Sequence, residues 1–292
     1  MKKSILLLIN PYAGDKKSVK KISKIEKPFI NNGFSVETVI TENKAHLIQT
    51  AKNRCANFTH VAAVGGDGTL NAVLNACLND NIIFVFIPAG TINIFAKEYK
   101  IPLNTVKAAK LLSTGITTKI DVIHAGAKNA LLMVSAGLDS YTVDYVSKNK
   151  NKPGKFKYFF HVLKNAFKYT YPDLKAAING KTITAKFILA GQTNKYAGYL
   201  KLLPKAKFND GLLHVCAFKG KSPWAHLMLA IKSLFGIHSR SHYVEILKTD
   251  KITLTGPDSL ISQMDGEQFA PLPLEISIIP DKVNFLIPSK SG

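Results

Sequence analysis

Gly65-Gly66-Asp67-Gly68-Thr69-Leu70-Asn71 follows directly on the apolar run His60-Val61-Ala62-Ala63-Val64. An apolar run that breaks into three glycines and then turns amphipathic reads as strand, tight turn, helix. Leu70, Val73, Leu74, Cys77 and Leu78 carry the helical spacing. Gly65, Gly66 and Gly68 let the backbone bend sharply and come within hydrogen-bond distance of a ligand. The helix start behind them offers unpaired N–H groups and the positive end of a dipole to an anion. Asp67 places a carboxylate among the glycines, which suits a Mg-nucleotide or a substrate hydroxyl better than a bare phosphate. The stretch has neither the Gly-Lys-Ser/Thr of a Walker loop nor the G-x-G-x-x-G dinucleotide spacing. On its own it is equally compatible with a plain tight turn.

Outward from this turn, the first third of the chain alternates. Strands are expected at 4–9, 35–41, 60–64 and 82–87, with helices at about 17–31, 44–55 and 69–78. Such alternation predicts a parallel, doubly wound sheet. Its ligand crevice lies beyond the carboxyl ends of the strands, where Asn10, Thr41, Gly65 and Pro88 all fall. From about 118 the texture changes to β-rich runs at 118–124, 130–136, 182–190, 212–218, 251–255 and 274–279, separated by Gly, Asn, Asp and Pro. This pattern predicts an antiparallel, sandwich- or barrel-like second domain. Helices interrupt it at about 155–169 and from Ser222-Pro223, a cap residue followed by proline at the first helical position. The expected division is an α/β domain over 1–122 and a β-rich domain over 123–280.

The 292 residues can bury a sizeable core. No apolar run reaches the ~18 residues of a membrane span. Ile5–Ile9 behind Met1-Lys2-Lys3 is too short for a signal peptide and ends in Asn-Pro, so it reads as a buried first strand. Cys55, Cys77 and Cys216 lack metal-ligand spacing and read as core thiols in a reducing cytoplasm. The net charge is +20, and only Arg54 and Arg240 are arginines. Residues 148–207 hold fourteen lysines and one acid, Asp173. Such a field attracts anionic surfaces or simply solvates the protein. Bidentate base reading favours arginine, so nucleic acid is not the expected partner and an anionic membrane is.

Three further segments join the glycine turn. Ile5–Ile9 runs into Asn10-Pro11-Tyr12-Ala13-Gly14. Pro88-Ala89-Gly90-Thr91-Ile92-Asn93-Ile94-Phe95-Ala96 follows the fourth expected strand. Met264-Asp265-Gly266-Glu267 comes far downstream. In this order the four segments resemble the diacylglycerol kinase catalytic family, the soluble bacterial lipid kinases related to sphingosine kinases. The resemblance runs from about residue 4 to the C-terminus. GGDGT is shared with phosphofructokinases and NAD kinases; the other segments point to the lipid kinases. The resemblance implies a nucleotide-fold domain, a larger β domain and an active site in the cleft between them. It also implies that the last residues, about 281–292, rejoin the first domain.

What the resemblance implies for residues is specific. Gly65, Gly66, Asp67, Gly68, Thr69, Leu70 and Asn71 would cradle phosphate, with Asn10, Thr41 and Thr91 lining the nucleotide site. Thr41 read without the family is equally a helix N-cap. Asp265 would be the general base, where Asp-Gly alone reads as a hairpin turn. Glu267 would supply a second carboxylate, and Asp67, Asp121 and Glu267 would form a charged, Mg-associated network with Asp265. Phe208-Asn209-Asp210-Gly211-Leu212 resembles a segment that holds a structural Mg²⁺, through the Asp210 carboxylate and the carbonyls of Lys207 and Leu212. Two positions depart from the family pattern: Ala72 stands where Glu is common and Ile94 where Asp is common.

The segment 156–171 places Phe156, Phe159, Phe160, Leu163, Phe167 and Tyr171 on one helical face, beside Lys157, His161, Lys164 and Lys168. This reads as a membrane-interface helix or as a packed helix with a snorkelling lysine edge. Lys157, Phe159, Phe160, Lys164 and Lys168 are the expected membrane-facing residues. The expectation is therefore a cytoplasmic ATP- and Mg²⁺-dependent lipid kinase, peripheral at the inner membrane face, with diacylglycerol as default acceptor and a homodimer left open. Its rivals are a kinase for a sphingoid base, another lipid or a soluble alcohol such as NAD, and a non-catalytic lipid- or nucleotide-binding protein.

Overall fold

β1 (Ser4–Ile9), β2 (Ser35–Ile40), β3 (His60–Gly65) and β4 (Ile83–Pro88) pair in parallel in the order β2-β1-β3-β4 in the computed structural model. It describes residues 3–14, 18–78, 81–148, 164–196 and 198–289. The chain divides into two units, 1–122 with 280–292 and 123–279. β5 (Ile116–Ala125) and the last strand, β16 (Leu274–Ile287), carry the chain from one unit to the other.

In the first unit the end of β16 adds a fifth parallel strand, with Asn284, Phe285 and Leu286 beside Ile83, Phe84 and Val85. β1, β3 and β4 are almost wholly apolar and buried because both sheet faces are covered there, whereas the edge strand β2 carries Ser35, Glu37 and Thr38. α1 (Ile22–Asn31) packs with α5 (Thr105–Leu112), and α2 (Lys44–Arg54) with α3 (Asp67–Cys77). The parallel register levels the strand ends: Ile9 lies beside Ile40 and Val64, and Gly65 beside Pro88. The loops after β1, β2, β3 and β4 therefore share one rim. α4 (Ile94–Glu98) sits on this rim and was not anticipated from the sequence. Its Phe95 is fully buried, with its ring 4.8 Å from Phe285 and 5.9 Å from Phe86. Burying such a side chain contributes about 1.5–3 kcal/mol, which pins the rim loop to the sheet.

The second unit is antiparallel. One sheet runs β12 (Val244–Thr249), β11 (Leu213–Phe218), β10 (Phe187–Gly191), β7 (Met133–Ala136), β14 (Ile261–Met264) and β15 (Glu267–Pro271). The other holds the start of β16, then β13 (Lys251–Thr255), β8 (Leu174–Ile178) and β9 (Lys181–Ala185). β6 (Lys128–Ala130) pairs with the end of β5. Inward residues such as Ile188, Val215, Ile252 and Ile276 form one core.

Several expectations are corrected. The run 182–190 is two strands, because the chain leaves one sheet at Ala185 and joins the other at Phe187. Lys186 marks the switch, with its N–H on Phe218 O and its ammonium 2.9 Å from Asp173. The run 130–136 breaks at Leu131 and Leu132, whose N–H groups leave the ladder for a side chain described below. The run 274–279 extends to Ile287 as one strand. α6 (Leu138–Lys148) was not anticipated. α7 (Pro223–Leu234) starts as expected: the Ser222 hydroxyl accepts the Ala225 N–H and proline occupies the first turn. Of the expected helix at 155–169, residues 149–163 lie outside the described residues. The chain is helical at 164–166 and then leaves the helix, with Tyr171 at φ 53°. Tyr171 turns inward and meets Tyr169 edge-on at 5.1 Å, so the expected single aromatic face does not extend to Tyr171.

Candidate active site

Three glycines bring the rim loops into backbone contact. A Cβ on Gly90 would lie 2.5 Å from Gly66 Cα, and one on Gly14 would lie 2.1 Å from Ala89 O. A Cβ on Gly65 would overlap the Thr69 side chain. Only hydrogen fits at these positions, so the segments after β1, β3 and β4 close on one another. Hydrogen bonds lock the junction. Gly65 O accepts the N–H groups of Ala89 (2.7 Å) and Gly90 (3.1 Å), and Gly66 O accepts those of Thr69 and Leu70. Asn10 Nδ2 donates to Thr69 Oγ1 (3.0 Å), and Asn10 Oδ1 accepts the Tyr12 N–H. The N–H groups of Asp67 and Gly68, which open α3, have no acceptor in a preceding helical turn and face its N-terminal end. The arrangement suits oxyanion binding by backbone amides.

Asp67 stitches the glycine turn to the next loop. Its Oδ2 accepts the Ile94 N–H (2.9 Å) and its Oδ1 the Phe95 N–H (3.2 Å), capping α4. Burial pushes its carboxyl up from the usual carboxylate range, and the two N–H bonds and Lys97 oppose that shift. Asn93 completes the loop in the left-handed conformation, φ 51°, donating from Nδ2 to Gly90 O. The sequence reading missed Gly14, Gly90 and Asn93 as parts of this junction; an asparagine three residues after a glycine that follows a strand was the available signal. Thr91 is exposed on the same loop. Thr41 is buried, with both its N–H and its hydroxyl on Ile9 O. It is not the cap of α2, since Asn43 Oδ1 accepts the His46 N–H there. Ala72 and Ile94, the two departures from the family pattern, are buried apolar positions.

Asp265 sits in the second unit, in the two-residue turn between β14 and β15. Asp265 at φ 49° and Gly266 at φ 84° give the tight hairpin geometry that Asp-Gly favours. The turn is more than a turn. The Asp265 carboxylate accepts three backbone N–H groups, from Leu131 (2.9 Å), Leu132 (3.0 Å) and Met133 (2.9 Å), and its own N–H donates to Met133 O (3.0 Å). These bonds break the expected strand at 131–132 and fix the carboxylate in one orientation. Gln263 Oε1 accepts the Gly266 N–H (2.7 Å). Gln263 Nε2 reaches Ser135 Oγ (2.6 Å), and Ser135 Oγ donates to Asp139. Asp139 also accepts from Tyr196 (2.9 Å) and the Ser140 N–H (2.6 Å), and burial holds its carboxyl above the usual range. The network behind the turn was not legible in the sequence. Glu267 is exposed at the start of β15.

The remaining candidates have local partners. Asp121 is buried on β5 and accepts the Asp281 N–H (3.0 Å). Asp210 accepts the Leu212 N–H (3.3 Å), and its Oδ2 lies 2.9 Å from His214 Nε2 and 3.8 Å from Lys248 Nζ. No group of three or more His, Cys, Asp or Glu gathers for a metal among the described residues. One carboxylate already facing an ammonium and an imidazole suits a protein-satisfied turn and not a dedicated divalent-cation site. No step below therefore runs through a metal at Asp210, Lys207 and Leu212. Lys164 and Lys168 are exposed, while Lys157, Phe159, Phe160 and His161 lie outside the described residues. No helix among the described residues is long and apolar enough to cross a membrane.

The two sets of residues fall within two recognised domains. Residues 4–125 match the family model described as the diacylglycerol kinase catalytic domain. Residues 132–287 match the one described as the YegS C-terminal NAD kinase beta sandwich-like domain. A diacylglycerol kinase of Bacillus subtilis (strain 168) is 24% identical over 293 residues, spanning 98% of this chain and 97% of that protein. A diacylglycerol kinase of Mycobacterium tuberculosis (strain ATCC 25618 / H37Rv) is 26% identical over 296 residues, 97% of this chain and 95% of that one. Two solved structures from Bacillus anthracis str. Sterne share the fold. One superposes with a TM-score of 0.81 at 22% identity, covering 98% of this chain and 97% of that chain. The other, a diacylglycerol kinase, does so with a TM-score of 0.74 at 18% identity. The chain belongs to the diacylglycerol kinase catalytic-domain family. It is a lipid kinase of that type, a phosphotransferase.

Proposed function

We propose that this chain transfers the γ-phosphoryl group of Mg·ATP to the free hydroxyl of diacylglycerol, giving phosphatidic acid, at an anionic membrane face on the cytoplasmic side. Asp265 carries the reading. Its carboxylate, held by three amides, is a fixed oxygen base, and such positioning is most of what phosphoryl transfer asks of a protein.

The rim at Asn10, Gly65–Asn71 and Gly90–Thr91 holds the nucleotide phosphates through backbone N–H groups and the α3 dipole. Mg²⁺ arrives with the nucleotide as part of the substrate and offsets its charge. Asp265 accepts the proton of the acceptor hydroxyl as its oxygen bonds to the γ-phosphorus. The bond to the bridging oxygen breaks and ADP departs. Glu267, on the next strand, adds negative charge beside the turn. Asp67 holds the loop carrying Thr91 in register with the glycine turn.

The acceptor is open to test, because a sphingoid base, a glycolipid or a soluble alcohol would use the same chemistry. Transfer of label from γ-labelled ATP to a panel of diacylglycerol, sphingosine, glycolipid and NAD decides it. Label confined to diacylglycerol supports the assignment. Label confined to another acceptor replaces it, and no transfer to any acceptor favours a binding protein.

A further inference from the structure

α7 is a surface helix turned inside out. Trp224, Met228, Ile231 and Phe235 are spaced i, i+4, i+7 and i+11, which puts them on one helical face. That face is the exposed one: Trp224 is 65% exposed and Phe235 71%. The inward side is anchored by Leu229, and by His226, whose ring packs between Phe218, edge-on, and Tyr171, tilted, at 4.8 Å from each. Lys232 is the only charged residue in the helix. A helix apolar on all sides belongs in a protein core or against lipid. Leu234, the last helical residue, and Ile237 beyond the helix end extend the patch. Phe167 extends it sideways, 59% exposed and edge-on to Trp224 at 6.0 Å.

The charges around this patch are predominantly cationic. Between Gly211 and Val244 there is no acidic residue, while Lys221, Lys232 and Arg240 are cationic; Lys219 is paired with Glu245 just beyond (3.0 Å). Lys164 and Lys168 flank Phe167 and are exposed. Beside the helix lies a groove of about 390 Å³, lined by apolar Trp224 and Met228 and by basic Lys232 and Arg240. An apolar surface with a cationic rim is complementary to a bilayer whose acyl interior lies beneath anionic headgroups. A second copy of this chain would bring the same cations against themselves, which disfavours self-association through this face.

We propose that the outward face of α7, with Phe235 and Phe167, is the surface on which this protein docks onto an anionic bilayer, inserting Trp224 and Phe235 among the headgroups. The proposal rests on the lipid-kinase reading for its purpose and not for its test.

Trp224 is the only tryptophan in the chain and reports its own environment. The whole protein, without nucleotide, is mixed with vesicles of phosphatidylcholine alone or phosphatidylcholine with phosphatidylglycerol. With the anionic vesicles, tryptophan emission should shift to the blue, resist acrylamide and be quenched by brominated acyl chains. Phe235→Glu, whose side chain is mostly in solvent and leaves the fold alone, should reduce partitioning at least about tenfold, the loss of one buried aromatic side chain. It should keep turnover of a water-soluble, short-chain diacylglycerol. Vesicle binding without a change in tryptophan emission would place the docking surface elsewhere. An absence of binding to anionic vesicles would also overturn the proposal. So would a dimer in sedimentation velocity that Phe235→Glu dissociates, since the face would then belong to a second copy. If the kinase reading alone fails, vesicle binding and the emission shift persist while no acceptor is phosphorylated.

Discussion

Gly90→Ala places one methyl group where two rim loops touch. The new Cβ would lie 2.5 Å from Gly66 Cα and 3.1 Å from Gly66 N, against about 3.4 Å for ordinary contact. Asn93 Oδ1, 2.7 Å from the same Cβ, belongs to a side chain that can turn aside, but the two Gly66 atoms are backbone, so the loops must part by about 0.9 Å, the difference of the first pair. Overpacking of this kind costs about 1–3 kcal/mol. The hydrogen bond from the Gly90 N–H to Gly65 O, already 3.1 Å, would lengthen further. Function should suffer more than stability, because a misplacement of about 1 Å in a positioning site costs on the order of 10²-fold in rate. Steady-state kinetics with varied ATP, together with a thermal melt, read both effects. The control is Gly33→Ala, at φ +80° with nothing near its Cβ. It carries backbone strain of about 1 kcal/mol away from the rim. The expected outcome is a lower kcat/KM for ATP in Gly90→Ala and wild-type kinetics in Gly33→Ala. Wild-type kinetics in a Gly90→Ala protein that melts early would show that the junction is structural and does not hold phosphate.

Other outcomes follow from the same contacts. Asp67→Ala should lower activity and also the melting temperature, because two N–H groups of α4 lose their acceptor at about 1 kcal/mol or more; an unchanged melt would contradict the capping role. Burial holds the His226 ring down at about 4, against 6.5 in the unfolded chain. The unfolded state therefore binds more protons in that window, and the His226 contribution is complete above about 6.5 and lost as pH falls toward 4. Denaturant melts should show the stability difference between wild type and His226→Phe moving in favour of the variant as pH drops from 7 to 4.5; a pH-independent difference would contradict it. Mg²⁺ without nucleotide should not raise the melting temperature, given the Lys248 and His214 partners of Asp210; a Mg²⁺-dependent rise that Asp210→Asn removes would establish a cation site.

The sequence made the first unit legible because local pattern and tertiary environment agree there. The apolar runs of β1, β3 and β4 are buried on both faces, and the residues just past their ends reach one rim by register alone. What stayed hidden depends on partners distant in sequence. Leu131 and Leu132 continue an apolar run, yet their N–H groups go to a carboxylate 134 and 133 residues away. Asp67 looks like a turn residue until the amides of Ile94 and Phe95 are in place. The switch at Lys186 leaves no trace in an uninterrupted β-rich run, since both strands keep inward apolar residues. α7 was found by its cap and proline, but its outward apolar face could not be told from an inward one by periodicity.

The measurement that bears most directly on the account is transfer of label from γ-labelled ATP into diacylglycerol vesicles by wild type and by Asp265→Asn, with ATP affinity measured on both. Asparagine suits the turn, since Asn-Gly favours the same positive-φ pair, and it keeps an acceptor for two of the three amides while being unable to take a proton. Wild type should yield labelled phosphatidic acid, and the variant a rate lower by about 10²–10⁴ with unchanged nucleotide affinity. Wild-type rates in Asp265→Asn, or label recovered only as inorganic phosphate, would contradict it.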